Sequence, residues 1–147
     1  MKLSTKGRYG TRLLLDIALN QGKAPVLLKD VARRQQIPLP YLKHLVSPLV
    51  KGGLLRSTRG ARGGFVLARH PEQVKLSEVL EYLEGSLALV DCISKPGVCR
   101  RAAFCATRDI WGEMGKAISG VLESVTLLEL MERQKSKQPA AAKMYYI

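Results

Sequence analysis

The spacing of apolar residues over the first fifty positions predicts three helices. From Thr5 to Gln21, apolar side chains recur every three or four residues, which is the period of an amphipathic helix. A second helix is predicted from Leu28 to Gln36, where the sequence IPLP ends it, because proline lacks an amide donor and disfavours helix in the residue before it. Pro40 suits the first position of a third helix, from Tyr41 to Lys51, which two glycines then end.

The segment after the third helix has the pattern of a β-hairpin. Two β-prone runs, Leu54 to Thr58 and Phe65 to Ala68, flank a glycine-rich tip that carries Arg59 and Arg62. Two helices joined by a short turn and followed by a hairpin form a winged helix-turn-helix. The sequence therefore predicts a mainly α-helical fold with a small β-hairpin wing.

The second half of the chain predicts a short helix and a long one. The short helix runs from Leu76 to Glu84, and the long helix runs from about Ala106 to Arg133, which is ~40 Å at the usual rise per residue. Such a length suggests a dimerisation helix, although a helix packed wholly within one monomer stays possible. The long helix carries a coiled-coil seam at Trp111, Met114, Ile118, Val121, Val125 and Leu128.

These elements divide the chain into four predicted regions. Residues 1–75 form a winged helix-turn-helix DNA-binding domain, and residues 76–105 form a connecting helix and a cysteine cluster loop. Residues 106–133 form the dimerisation helix, and residues 134–147 form a flexible tail with no function that the sequence assigns.

Charge is distributed unevenly over these regions. The net charge is +12, and residues 1–75 hold fifteen Lys and Arg against three acidic residues, whereas residues 76–147 hold nine of each sign. A basic domain attracts a polyanion, and release of phosphate counterions favours binding, so the expected partner is double-stranded DNA. The sequence has no long apolar run and no signal-peptide pattern at its start, so we expect a cytoplasmic protein with no membrane partner.

Three cysteines lie in one basic segment. Cys92, Cys99 and Cys105 are separated by six and then five residues. Thiolates are soft donors for zinc, copper(I) and iron–sulfur clusters, but zinc fingers usually pair their ligands two to four residues apart. Nearby basic side chains favour thiolates and offset the negative charge of a cluster. The pattern favours an iron–sulfur cluster over redox-active or structural thiols.

The order of these motifs resembles a known family. The stretches STKGRYGTRLLLDIAL, YLKHLVSPLVKGGLL and RGARGGFVLAR, followed by three cysteines and a long helix, resemble the bacterial winged-helix regulators that include IscR, NsrR, RirA and CymR, over residues 1 to about 133. The resemblance implies a homodimer that binds a palindromic operator under the control of a cluster that senses iron, redox state or nitric oxide. It implies base readout by Tyr41, Lys43, His44 and Ser47, minor-groove contacts by Arg59 and Arg62, and phosphate contacts by Lys6, Arg8 and Lys51.

The fourth ligand of such a cluster does not follow from the resemblance. One branch of the family has a histidine where this chain has Arg108, and another has an aspartate where this chain has Arg8. Asp91, Asp109 and Glu84 are candidates, or one iron stays open. Three thiolates and an open iron favour a [4Fe-4S] cluster over [2Fe-2S].

Two other functions stay open at this point. One is a cluster-free repressor that responds to a metabolic partner or to thiol oxidation. The other is a small iron–sulfur electron-transfer protein. An enzyme is not expected, since the sequence has neither a second cofactor motif nor a pair of carboxylates that would form a catalytic cleft.

Overall fold

Three helices and a hairpin form the amino-terminal part of the computed structural model, which describes residues 2–139. The predicted winged helix-turn-helix is confirmed, and each element ends within two residues of its expected boundary. The helices are α1 (Thr5–Asn20), α2 (Leu28–Gln35) and α3 (Leu39–Lys51), and the strands are β1 (Leu55–Thr58) and β2 (Gly64–Leu67).

The core of this module lies between α1 and α3. Both helices place leucine or isoleucine at helical spacing on the faces that meet. Burial of each such side chain stabilises the folded state by about 2 kcal/mol. A left-handed residue, Gln36 with φ of 54°, ends α2 and lets the chain turn sharply into α3. The fully buried side chains of the two helices are Leu13, Leu14, Ile17, Leu42, Leu45 and Leu49.

The hairpin is anchored to the connection between α1 and α2. Its strands pair antiparallel, and Val26 forms a further bridge to Phe65 through two backbone hydrogen bonds of 2.9 and 2.8 Å. The Gln21 side-chain oxygen accepts a hydrogen bond from the Leu67 amide at 2.8 Å. These bonds fix the direction in which the wing leaves the helices.

The carboxyl-terminal half contains the predicted short helix and a long helix that is interrupted. The short helix is α4 (Leu76–Glu84), as expected, and the single turn α5 (Asp91–Ser94) follows it. The prediction of one continuous helix over residues 106–133 was wrong, because two helices, α6 (Ala106–Ser124) and α7 (Leu127–Lys137), are found there.

The interruption has a clear cause in backbone pairing. The Leu76 amide donates to the Val125 carbonyl at 2.9 Å, and the Leu127 amide donates to the Val74 carbonyl at 2.8 Å. Thr126 then caps α7, since its hydroxyl accepts from the Glu129 amide at 3.2 Å. The backbone at Val125 and Thr126 is extended, and residues 125–127 form hydrogen bonds to residues 74–76, at the start of α4, in place of helical hydrogen bonds.

The predicted coiled-coil seam is divided by this interruption. Trp111 and Val121 on α6 are 39% and 63% exposed, whereas Val125 is only 7% exposed and Leu128, on α7, is half-buried. The lower part of the seam therefore packs within the monomer. The predicted flexible tail was wrong for residues 134–137, which belong to α7, and its residues 140–147 lie outside the described residues.

Candidate nucleic-acid interface and cysteine segment

One face of α3 is polar and open to solvent. The opposite face supplies leucines to the core, so the amphipathic spacing alone decides which side chains point outward. Pro38 and Pro40 start the helix and Gly52 ends it. The predicted DNA-contacting residues on the exposed face are Lys43, His44, Ser47 and Lys51.

Tyr41 is placed differently from the other predicted readout residues. It is half-buried and packs edge-to-face on Tyr9 of α1, with ring centroids 5.9 Å apart. The guanidinium groups of Arg8 and Arg12 lie 5.6 and 5.4 Å from the Tyr9 ring. This cluster joins the first turns of α1 to the start of α3, so that Lys6 and Arg8, both exposed, belong to the same module as the recognition helix.

The tip of the wing exposes the two predicted arginines. Gly60 has φ of 105°, a conformation that residues with a Cβ rarely adopt, and the Gly63 amide donates to the Gly60 carbonyl at 3.0 Å. A Cβ at Gly63 would lie 2.7 Å from the Thr58 carbonyl oxygen. The glycines thus close a tight turn from which Arg59 and Arg62 project into solvent.

Sequence reasoning missed a buried carboxylate that orients α2. Asp16 is 3% exposed and accepts hydrogen bonds from the Arg34 guanidinium, the shortest at 2.6 Å, and from the Gln35 side-chain amide at 2.8 Å. Arg12 in turn donates to the Gln35 side-chain oxygen at 3.1 Å. The signal was present in the sequence, because Asp16 is a lone acid on the apolar face of α1.

The cysteine segment lies between α4 and α6. Cys92 is in α5, Cys99 follows a short turn, and Cys105 is the residue that precedes α6. All three thiols are free, with Cys99 exposed and the others partly exposed. Arg108 of α6 donates to the Cys92 carbonyl at 3.1 Å and so connects the first turn of α6 to α5.

The three thiols have the chemistry that an iron–sulfur cluster needs, but their side chains are not gathered around one point. Soft donors at the surface of one segment are the ligand type that an iron–sulfur cluster needs. Within residues 2–139, however, no three side chains of His, Cys, Asp or Glu are gathered closely enough to hold a metal ion. Of the carboxylates considered as a fourth ligand, Asp91 and Asp109 are exposed, whereas Glu84 is hydrogen-bonded to Ser4 of α1.

The Cys105 thiol is more acidic than usual. The Thr107 hydroxyl, 3.2 Å from Sγ, and the Arg108 backbone amide hold the pKa of this thiol below its ordinary value. The thiolate, which is the nucleophile, therefore forms at lower pH.

We expect Thr107→Val to raise the pKa of Cys105, because the hydroxyl that stabilises the thiolate is removed. The midpoint of the pH dependence of Cys105 alkylation by iodoacetamide, followed by mass spectrometry, should then move to higher pH. Thr107→Ser keeps the hydroxyl and should keep the original midpoint. Equal midpoints for the valine variant and the unmodified protein would contradict this assignment.

The comparison with protein families decides which class the fold belongs to. Residues 3–133 match the model of Rrf2, described as an iron-dependent transcriptional regulator. The chain belongs to the Rrf2 family. It is therefore a DNA-binding transcriptional regulator and not an enzyme, as expected. None of the helices within residues 2–139 has the length and apolar character needed to cross a bilayer.

Curated members of the Rrf2 family are similar over nearly the whole chain. The protein rrf2 of Nitratidesulfovibrio vulgaris is 46% identical over 131 residues, which cover 89% of this chain and 87% of the relative. The regulator IscR of Cronobacter sakazakii is 38% identical over 135 residues, covering 92% of this chain and 83% of the relative. The predicted relation to IscR is confirmed.

Solved structures of Rrf2-type regulators share the fold. IscR of T. potens is 38% identical, with a TM-score of 0.78 over 99% of this chain and 97% of its own. The global cysteine regulator CymR of B. subtilis is 34% identical, with a TM-score of 0.77 over 90% of this chain and 98% of its own. The predicted winged-helix architecture thus agrees with structures of two different regulators.

Proposed function

We propose that the protein is a homodimeric repressor whose binding to a palindromic operator is controlled by an iron–sulfur cluster on Cys92, Cys99 and Cys105. The observation that carries the DNA part is the joint exposure of the polar face of α3 and the wing arginines on one basic module. The cluster part is supported by the three free thiols and by the similarity to IscR. We infer that the protein acts in the cytoplasm, where its operator would lie.

The proposed roles of the DNA-binding residues follow from their chemistry. Lys43, on the exposed face of α3, can donate to guanine acceptors in the major groove but cannot accept from cytosine. Tyr41, His44 and Ser47 complete the readout, although the packing of Tyr41 on Tyr9 limits its reach. An arginine at the wing tip suits the negative potential of a narrow minor groove. Arg59 and Arg62 take that role, and the proposed phosphate contacts are Lys6, Arg8 and Lys51.

The proposed dimer interface is the exposed apolar face of α6. This 19-residue helix spans about 28 Å at 1.5 Å per residue, and it leaves large apolar side chains uncovered in the monomer. A second copy packed there would bury them and would place two wings on half-sites separated by a multiple of the DNA repeat. The exposed large apolar residues of α6 are Ile110, Trp111 and Val121.

The proposed cluster would be held by three thiolates next to positive charge. Hydrogen bonds from the Thr107 hydroxyl and the Arg108 amide are the main causes of the lowered pKa of Cys105, and the Arg101 charge adds to them. An anionic cluster would be stabilised by the same positive charge. Arg108 has no acceptor atom for a metal and donates to the Cys92 carbonyl, and Glu84 is hydrogen-bonded to Ser4. The fourth iron would therefore be bound by Asp91 or Asp109, or it would stay open. Three protein ligands and an open iron favour [4Fe-4S] over [2Fe-2S]. A bound cluster would supply the redox and ligand-exchange chemistry that senses iron, redox state or nitric oxide.

A second candidate function is favoured by Cys105. A cluster-free repressor could respond to oxidation of this thiol, because its lowered pKa favours the reactive thiolate. The structural similarity to CymR, the global cysteine regulator of B. subtilis, is compatible with that alternative.

Purification without air separates the two candidates. The cluster model predicts a coloured protein with stoichiometric iron and sulfide, and it predicts that apo and reconstituted protein differ in operator affinity. A colourless, iron-free protein that binds its operator, and whose affinity changes when Cys105 is oxidised, would favour the second candidate.

Arg59→Ala should weaken binding to a duplex selected by the unmodified protein from a random library. The expected loss is about tenfold or more, which corresponds to ~1–3 kcal/mol for a groove-reading arginine, and it should be the same with and without cluster. Fluorescence anisotropy titration at fixed salt measures it. Arg56→Ala removes the same charge from the exposed side of β1, away from the tip, and should have a smaller effect. Equal affinities for Arg59→Ala and Arg56→Ala would refute the wing assignment.

A further inference from the structure

The carboxylate of Glu84, the last residue of α4, lies against the amino terminus of α1. One of its oxygens accepts from the Ser4 amide at 3.0 Å and from the Ser4 hydroxyl at 2.6 Å. The Ser4 hydroxyl in turn accepts from the Gly7 amide at 3.0 Å and so caps α1. A residue 80 positions away in the sequence therefore determines how α1 begins.

Two glycines make this close approach possible. A Cβ at Gly7 would lie 2.1 Å from Oε1 of Glu84, and a Cβ at Gly10 would lie 2.5 Å from the Leu83 side chain. The glycines are three residues apart and hence face the same side of α1. The last turn of α4 thus packs directly against the backbone of α1, and a side chain at either glycine would obstruct this contact.

Glu84 also supplies a charge that α1 itself lacks. The partial positive charge at a helix amino terminus is stabilised by nearby anions, and Asp or Glu often occupies the first turn. The first turn of α1 contains no acidic residue. The half-buried Glu84 takes that place from another helix.

The contact between Ser4 and Glu84 lies between the proposed phosphate contacts and the cysteine segment. The phosphate contacts are on α1, and the cysteine segment begins directly after Glu84. Lys6 and Arg8 project from the first turns of α1, and the Arg8 amide donates to the Ser4 carbonyl at 3.0 Å. Gly85, directly after Glu84, has φ of 86° and ψ of −135°, a backbone conformation essentially restricted to glycine. A change in the backbone at Gly85 therefore displaces the carboxylate that holds Ser4.

We propose that Glu84 is a positioning residue for DNA binding, which holds Lys6 and Arg8 against the phosphates and transmits backbone changes from the start of the cysteine segment to them. The inference rests on the proposed function. It adds a route between the cysteine segment and the DNA contacts that lies within one chain.

The dependence of affinity on salt tests the positioning role. Each phosphate contact contributes about one to the magnitude of the slope of log affinity against log salt concentration. Loss of both contacts in both protomers should therefore reduce that magnitude by about four. Glu84→Ala and Gly7→Ala should both show this, with the largest loss of affinity at low salt. Anisotropy titrations over a series of potassium chloride concentrations, with the selected duplex, measure it.

Glu84→Ala, Gly7→Ala and the control Glu81→Ala distinguish a loss of positioning from a loss of helix stability and from a simple change of charge. Gly7→Ala displaces the flexible end of Glu84 but replaces glycine by the best helix former, so weaker binding by this variant cannot come from a weaker helix. Glu81→Ala removes the same charge from an exposed position of α4 and should leave the slope unchanged. Thermal unfolding of each variant checks that it is folded. Unchanged slopes for both Glu84→Ala and Gly7→Ala would overturn the proposal.

Gly85→Ala tests the transmission. Gly85→Ala should reduce the magnitude of the salt slope as Glu84→Ala does. In a protein that already carries Lys6→Ala and Arg8→Ala, the added Gly85→Ala should cause no further reduction. Gly97→Ala changes a glycine of the cysteine segment that has open space around it and should have no effect. An equal decrease in both backgrounds would show that Gly85 acts by another route. Failure of the unmodified protein to bind any duplex would instead overturn the proposed function, and this inference with it.

Discussion

Replacement of Cys92, Cys99 or Cys105 by alanine should abolish the visible absorption of protein purified without air. Each thiol is expected to ligate the cluster, and alanine offers no donor atom in place of the thiolate. The fold should survive, because all three side chains lie outside the hydrophobic core. Absorption spectra, iron and sulfide assays and thermal unfolding measure these effects.

The matched control is a neighbour in the same segment. Val98→Ala changes an apolar side chain that is 64% exposed and is adjacent to Cys99, so it should retain full iron and colour. Each cysteine variant should also remain dimeric, since the proposed interface is on α6. A cysteine variant that keeps its absorption, or one that becomes monomeric, would contradict the separation of these roles.

Val121→Glu should convert the dimer to monomers. Val121 is 63% exposed in the monomer and belongs to the predicted seam, so each protomer would bury an unpaired glutamate in the proposed interface. Since a monomer engages only one half-site, operator affinity should fall by roughly a hundredfold or more. Sedimentation equilibrium gives the oligomeric state, and anisotropy titration gives the affinity.

Lys116→Glu is the control for this experiment. Lys116 is an exposed residue of the same helix, and its position in the heptad lies opposite the seam. This variant changes the charge more strongly than Val121→Glu, yet it should remain dimeric. A dimeric Val121→Glu protein would show that α6 is not the interface.

The elements of the DNA-binding module were predictable because each is encoded locally. Apolar residues at helical spacing, the prolines before α3 and the glycines around the wing tip specify helices, a turn and a hairpin within short stretches. The exposed sites on α3 and the wing follow from the same spacing. The one local signal that was overlooked is Asp16, an acid among buried apolar residues.

The interruption between α6 and α7 could not be predicted from periodicity. The seam continues with helical spacing through Val125, so nothing in the local pattern marks a break. The break arises because residues 125–127 pair with residues 74–76 through backbone groups. Backbone hydrogen bonds of this kind leave almost no trace in the identity of side chains.

The sequence alone determined the fold class, the basic face that DNA is expected to meet and the presence of three soft ligands in one segment, because composition and short-range spacing are sufficient for each. Only the tertiary structure decided that Glu84 accepts hydrogen bonds from Ser4, the cap of α1, that Arg108 donates to the Cys92 carbonyl and that the carboxyl-terminal end of the seam packs within the monomer. These contacts join residues between 16 and 80 positions apart. Their partners are selected by packing in three dimensions, which local sequence patterns do not encode.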